Sequence, residues 1–429
     1  MTARISSRLN SLYLGWRMIA VTCAIRVLGG GLHAYGISVF FLPVTQELQL
    51  TRTATSLVFS LARAQGALEG PLAGYCIDRF GPRPVIAMAT ALAGLGYLLL
   101  SGVHSYAALL VVYMGIISLS YQAGFMDATM SVANTWFIRK RALAMSITSG
   151  SIALGGALLT PLLAYAVHTW GWRWASVASG IVFLVIGVPL SLQIRRSPES
   201  LGLLPDGDIC LNNDHESGAQ LSSGDATLEQ EWSLPQTLRS HQFWLLAFAT
   251  TFRSVCSTAV LVHFVPILVW KGYSQGHAAF FLGVIALCGM PTHLLIGWLG
   301  DRLDKPRLMA FFMILGSASV YCLFQGNQTW QLWIAVLLFN VFEGLFPVTW
   351  ATVGDFFGRK NFAKIRGSMS LLYTWGSVLG PVVAGAIYDR TQSYAELFWV
   401  LFVISWVTAI LYFTLLQPQL KSSELKPPS

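Results

Sequence analysis

Long apolar blocks constrain this chain more than any other feature of its sequence. Twelve apolar stretches follow one another, and only 11% of the 429 residues are charged. A block of about twenty apolar residues spans the hydrocarbon core of a bilayer as a helix. Backbone polar groups inside lipid must bond to one another, so only helices or a closed barrel can cross it. Because the apolar runs are continuous rather than alternating, the sequence predicts an all-α membrane protein.

The predicted spans form two groups of six, separated by a polar acidic segment. We predict an N-terminal half at 1–197, a linker at 198–238, a C-terminal half at 239–418 and a tail at 419–429. The linker has no apolar periodicity, so we expect it to be solvated rather than folded. The predicted spans are residues 17–42, 53–77, 84–103, 106–134, 141–167, 173–194, 240–270, 278–300, 307–325, 330–356, 364–388 and 395–417.

The positive charges predict the orientation of the chain. Of the 27 Lys and Arg residues, 20 fall on the side that both termini share and 4 on the opposite side, with Arg141 and Arg366 counted as loop residues. Cytoplasmic loops attract Lys and Arg, so we expect a multi-pass protein of the cell membrane with both termini in the cytoplasm. This topology, rather than nucleic-acid binding, accounts for the net charge of +8.

The two halves repeat each other. Residues 74–83 parallel residues 297–307 at an offset of 223, and Pro161 matches Pro381 at an offset of 220. Ordered matches at nearly one offset indicate duplication. Each copy begins on the same side, so the halves are parallel repeats. Transporters built in this way hold their substrate near the midplane, between the halves.

The repeated segment also carries a family resemblance. Residues 74–83 read Gly-x-x-x-Asp-Arg-x-Gly-x-Arg and resemble the signature of the major facilitator superfamily. Within it, the chain resembles the monocarboxylate porters, which include the oxalate/formate exchangers. That second resemblance rests on Gly29-Gly30-Gly31, Glu69-Gly70-Pro71, Asn134-Thr-Trp-Phe and the start of the linker, residues 198–205.

The resemblance implies a gate at the signature. An aspartate at a helix end can cap a neighbouring helix or pair with Arg across the interface between the halves. Either contact must break when that side opens. The alternative is that the charges only set topology. The implied gating residues are Asp78, Arg79 and Arg83 in the first copy and Asp301 and Arg302 in the second.

Buried charges predict an anion site. Arg26, Arg63 and Arg253 lie within predicted spans, where each charge costs about 2.5–3.5 kcal/mol at a helix centre. Guanidinium groups bind carboxylates through two hydrogen bonds, although each Arg could instead be locked to an acid. Arg253 has no acid on its own helix and is the first candidate ligand, before Arg26. Tyr121, Asn340 and Tyr373 are candidate cavity walls, with packing as the alternative.

Proton coupling requires a group that titrates. Burial raises a carboxyl pKa, so Glu343, and after it Asp127, are the candidates for carrying a proton. His33 is another, unless it is a satisfied structural residue. The porter group usually carries its anion-binding Arg in the eighth span. Here that span has no Arg and no acidic residue, only His293. We expect Arg253 to bind the anion instead.

These observations predict a secondary active transporter with alternating access. Its expected cargo is a small organic anion, such as lactate or pyruvate, moved together with a proton, and we expect it to act as a monomer. The alternative is exchange or export of another organic compound, such as a dicarboxylate or a drug-like molecule. Nothing in the sequence indicates an enzyme, a cofactor, a metal site, an ATPase domain or a nucleic-acid motif.

Overall fold

The computed structural model describes residues 13–207, 231–326 and 328–418. Within these ranges twelve long helices form two halves of six, as predicted. Helix α1 runs through Leu14–Leu28, Gly29–Ala34 and Gly36–Glu47. The others are α2 Arg52–Phe80, α3 Pro82–Leu100, α4 106–136, α5 141–170, α6 172–192, α7 His241–Trp270, α8 Gln275–Gly300, α9 Lys305–Gln325, α10 Thr329–Phe357, α11 Phe362–Thr391 and α12 Ala395–Phe413.

Length and composition agree with twelve crossings. Ten segments of the described chain are long and apolar enough to span a membrane. One of them, Arg141–Leu192, contains both α5 and α6, which meet at Gly171 with a φ of 79°. Helix α2 is the more polar twelfth member. Short helical turns flank the linker at Glu199–Leu201, Pro205–Gly207 and Leu234–Arg239.

Local chemistry sets where several helices begin. The Thr51 and Ser274 hydroxyls accept backbone N–H groups of the first turns of α2 and α8. Helix α3 begins after Gly81, whose φ of 89° suits glycine. In the second copy the Asp304 carboxylate caps α9 at a φ of −59°. The signature glycine is therefore dispensable there, because the turn needs no left-handed residue.

Three helices of the described chain contain wider, π-helical turns. They occur at Gly29–Ala34 in α1, at Tyr113–Ser118 and Tyr121–Ala128 in α4, and at Phe183–Gly187 in α6. A π-helical turn changes the rotation per residue, so side chains beyond it point in directions that an ideal helix does not predict. Asp127 lies within one of these turns.

The two halves meet along α2 with α11 and along α5 with α8 and α10. The backbones of α2 and α11 approach closely, since a Cβ atom added at Gly70 would lie 2.8 Å from the Gly367 carbonyl oxygen. A Cβ at Gly297 on α8 would lie 3.0 Å from the Ala142 carbonyl oxygen of α5. These contacts cluster toward the end of the bundle that carries the α2–α3 and α8–α9 turns, which we call the clasped end.

Candidate functional site

A cavity of about 630 Å³ lies between the two halves. This volume falls within the usual range for small-molecule sites. The N-terminal half contributes residues of α1, α4 and α5, and the C-terminal half contributes residues of α7, α8, α10 and α11. The polar or charged side chains in the wall are those of Arg26, Tyr35, Ser149, His293, Asn340, Glu343 and Tyr373.

Arg26 is the cation of this cavity. Its side chain is 1% exposed, and its Nη1 donates to the Thr129 hydroxyl at 3.3 Å. Its Nη2 lies 3.3 Å from the Met126 sulfur, which is a weak acceptor, and its Nε has no hydrogen-bond partner. Among the described residues, no carboxylate lies within 4 Å of it. A buried guanidinium with such weak partners favours an anion in the cavity.

The opposite wall carries a carboxyl group and an imidazole, those of Glu343 and His293. The Ser257 hydroxyl of α7 donates to the Glu343 carboxylate of α10. His293 of α8 forms a hydrogen bond from Nδ1 to the Gly289 carbonyl oxygen at 2.7 Å. Asn340 donates to the Val336 carbonyl oxygen at 3.2 Å. The cavity thus holds a cation on one half and a carboxyl group on the other.

Arg253, the first candidate ligand from the sequence, lies behind the cavity wall. Its side chain is 2% exposed and donates to the Phe342 carbonyl oxygen. Its guanidinium carbon is 5.7 Å from the ring centre of Phe346, which lines the cavity. Arg253 is therefore next to a residue of the cavity wall but is not itself part of the wall. Arg253 can act on a substrate through its field but makes no direct contact in this arrangement.

His33 and Tyr121 form part of an aromatic cluster beside the cavity. The Tyr97 hydroxyl donates to the Leu32 carbonyl oxygen at 2.9 Å, so its oxygen can accept a hydrogen bond from His33 Nδ1, 3.1 Å away. The ring centres of His33 and Tyr121 are 4.5 Å apart. The side chain of Arg63, the third predicted cation, lies outside the described residues.

Two aspartates of the repeated signature join the halves at the clasped end. Asp78, at the end of α2, accepts the backbone N–H groups of Ala363 and Lys364 at 3.2 and 3.0 Å. These are the first residues of α11, so the carboxylate meets the positive end of a helix dipole. Of the two contacts that the sequence left open, the structure has the helix cap.

The second copy makes the same contact. Asp301 accepts the N–H groups of Ala142 and Leu143, at the start of α5, at 2.7 and 3.0 Å. Burial raises the pKa of Asp301 to about 6, although both N–H groups lower it. The two aspartate caps, which the internal repeat relates to each other, therefore both join the two halves.

The signature arginines lie elsewhere. The Arg79 guanidinium is 5.8 Å from the Tyr75 ring centre, and that of Arg302 is 3.8 Å from the Trp298 ring centre. Each ring precedes its Arg by four residues in the sequence. Arg83 lines a surface recess on the N-terminal half. Among the charged residues of the signature, the two aspartates therefore make the hydrogen bonds across the interface that the structure shows.

Two ion pairs, each with a buried arginine, correct the charge count made from the sequence. Arg366, 1% exposed, pairs with Asp127, 4% exposed, across the interface. Arg141 pairs with Asp355, which also binds Lys305 at 2.6 Å. Both Arg residues were counted with the loop charges, although they lie near the starts of α11 and α5. Asp127 lies in this interface and is absent from the cavity wall.

The two ends of the linker make contacts with helix turns that its composition did not predict. Asp206 accepts the N–H groups of Ile138 and Arg139, in the α4–α5 turn, at 2.9 and 2.8 Å. Glu231 accepts the N–H of Lys360, in the α10–α11 turn, at 2.8 Å. A run of acidic residues indicates solvation by composition, but free N–H groups of tight turns attract individual carboxylates. The acids at 208–230 lie outside the described residues.

Sequence and fold comparisons identify the family. The Major Facilitator Superfamily profile matches residues 25–315 and 290–428. Monocarboxylate transporter 2 of Homo sapiens is 23% identical over 393 residues, covering 90% of this chain and 82% of the relative. The E. coli fucose:proton symporter shares the fold with a TM-score of 0.69 at 15% identity, covering 93% of this chain and 98% of the symporter. The human organic anion transporter MFSD10 gives a TM-score of 0.66 at 15% identity, covering 94% and 100%. The chain belongs to the Major Facilitator Superfamily and is a membrane transporter, not an enzyme.

Proposed function

We propose that this protein moves a small organic anion with a single carboxylate, together with a proton, by alternating access. The observation that carries the proposal is Arg26, a buried cation in the cavity wall with no acid partner among the described residues. The similarity to a monocarboxylate transporter supports the same substrate class. The cavity lies between the halves, where a bound anion is accessible to either side in turn.

Different residues of the cavity bind the anion and the proton. Arg26 binds the carboxylate, because charge-assisted bonds to a guanidinium are strong where water is excluded. Glu343 takes the proton, since it faces the same cavity and holds one hydrogen bond from Ser257. A protonated Glu343 is neutral, so it does not repel an anion, and the charge of Arg26 then attracts the substrate. Asn340 and Tyr373 supply polar wall groups beside them.

The clasped end acts as the gate and faces the cytoplasm, as the distribution of Lys and Arg favours. The Asp78 and Asp301 caps and the Asp127–Arg366 pair hold it shut. In this arrangement the cavity opens to the other side. Transport requires these contacts to break together, after which the cavity opens to the cytoplasm. Asp127 then serves as a latch instead of carrying the proton.

Reconstitution in vesicles tests the proposal. Labelled carboxylates are offered with and without an imposed pH gradient, to wild type, Arg26→Gln and Glu343→Gln. Loss of about 2 kcal/mol of charge-assisted bonding should weaken anion binding about thirtyfold in Arg26→Gln. Glu343→Gln should lose accumulation driven by the pH gradient but retain exchange of substrate.

Arg253→Gln is the matched control, because it removes a guanidinium at similar burial behind the wall. It should weaken binding less than Arg26→Gln does. Thermal melting in detergent checks that each variant is folded. If folded Arg26→Gln binds carboxylates as tightly as wild type, the anion site is elsewhere. If Glu343→Gln still accumulates substrate, the protein uses another proton carrier or is an exchanger.

A further inference from the structure

The cavity has polar groups on both halves, together with a broad apolar surface on the C-terminal half. Arg26 Nε and Ser149 Oγ, both on the N-terminal half, are buried donors without hydrogen-bond partners. Both residues line the cavity, so the polar head of a ligand can satisfy them together. The facing wall, from α7, α8 and α10, carries His293, Asn340 and Glu343 beside a larger number of apolar side chains. Its apolar members include Leu261, Leu282, Ile285, Ala286, Met290 and Phe346.

The volume is large for a three-carbon acid. At about 30 Å³ for each water, the cavity of about 630 Å³ has the volume of roughly twenty water molecules. Lactate or pyruvate bound at Arg26 would displace a few of them and leave the apolar wall facing water. Removing apolar surface from water is favourable, so such a wall selects a ligand that covers it.

Resting on the proposed function, we propose that the preferred substrate is a monocarboxylate with an extended apolar body, and that Ala286 sets how much body fits. Leu282, Ala286 and Met290 are spaced four residues apart on α8 and line the cavity in a row. Ala286, the small member between two long side chains, leaves a notch in the apolar wall. The carboxylate binds at Arg26, and the body extends across the cavity into this notch.

A homologous series of acids tests the inference. Straight-chain monocarboxylates from propanoate to octanoate, and phenylpropanoate, compete with labelled pyruvate for uptake into vesicles. Each buried methylene should improve the inhibition constant about fourfold until the cavity is filled. Direct binding to the purified protein, followed by thermal stabilisation in detergent, should give the same order.

Three variants test which part of the cavity wall causes the dependence of inhibition on chain length. Ala286→Phe should abolish the gain in inhibition beyond the short acids, with the inhibition by each acid measured relative to that by unlabelled pyruvate in the same variant. Ala153→Leu, on the α5 wall, should do so to a smaller extent and covers the case in which Ala286→Phe does not fold. Leu287→Phe is the matched control, because Leu287 is on the same helix but 78% exposed and outside the cavity wall. It should leave the series unchanged.

The outcomes separate the inference from the proposed function. If pyruvate is transported but inhibition does not depend on chain length, the inference is overturned and the proposed function stands. It is also overturned if Leu287→Phe flattens the series as much as Ala286→Phe, since the dependence then comes from lipid. Tighter binding of phenylalanine than of phenylpropanoate would overturn it as well, because Glu343 would then be reading an ammonium group. If no acid of any length is bound or transported, the proposed function itself fails.

Discussion

Neutralising Asp127 should open the clasped end. Asp127 and Arg366 form a buried ion pair across the interface, and each is at most 4% exposed. Asp127→Asn leaves the Arg366 charge buried without its partner. Breaking a buried pair in this way costs about 3–5 kcal/mol. The penalty falls on the clasped arrangement alone, because Arg366 regains water when the halves separate.

A penalty of this size should shift the equilibrium from the clasped to the open arrangement. At 1.4 kcal/mol for each factor of ten, the ratio of clasped to open molecules should fall by roughly two to three and a half orders of magnitude. The double variant Asp127→Asn with Arg366→Gln removes both charges, so much of the clasped population should return. Arg307→Gln is the control. Its pair with Asp304 has 78% and 55% exposed side chains and should contribute at most about 1 kcal/mol.

The assay is a distance measurement between spin labels at Phe80→Cys and Leu303→Cys in a cysteine-free background. Both positions are exposed and lie near the clasped end on opposite halves. Asp127→Asn should lengthen the distance, and the double variant should shorten it again. If Asp127→Asn keeps the wild-type distances, or if the double variant resembles the single one, the pair does not act as a latch.

Two further predictions concern the aspartate caps. Asp78→Asn should slow transport while leaving substrate affinity near that of wild type, because the cap is far from Arg26; wild-type turnover measured in vesicles would argue against a gate. Asp301 should make stability depend on pH. The pKa of Asp301 in the folded protein is about 6, above its ordinary value of 3.8. Its protonation therefore stabilises the folded state fully below pH 3.8, and this stabilisation is lost as the pH rises to about 6. Relative to Asp301→Asn, wild type should therefore melt at progressively lower temperature in detergent as pH rises through this window, and a constant difference would contradict the assignment.

The sequence by itself determined the twelve helices, their two halves and the repeat. These features follow from local chemistry, because the length of an apolar run sets a membrane crossing and a capping residue sets where a helix begins. Asp78 and Asp301 could be singled out for the same reason, since they stand at helix ends in a duplicated motif. Buried cations likewise marked Arg26 as a candidate ligand from the sequence alone.

Only the tertiary structure decided which buried charges meet. The sequence ranks Arg253 before Arg26, yet Arg26 lines the cavity and Arg253 does not. Arg366, counted with the loop charges from its sequence, is buried because α11 begins at Phe362 and packs against the other half. The partner of Asp127 depends on a π-helical turn and on how two helices 239 residues apart are packed together. Such contacts join distant parts of the chain, and helical periodicity contains no information about them.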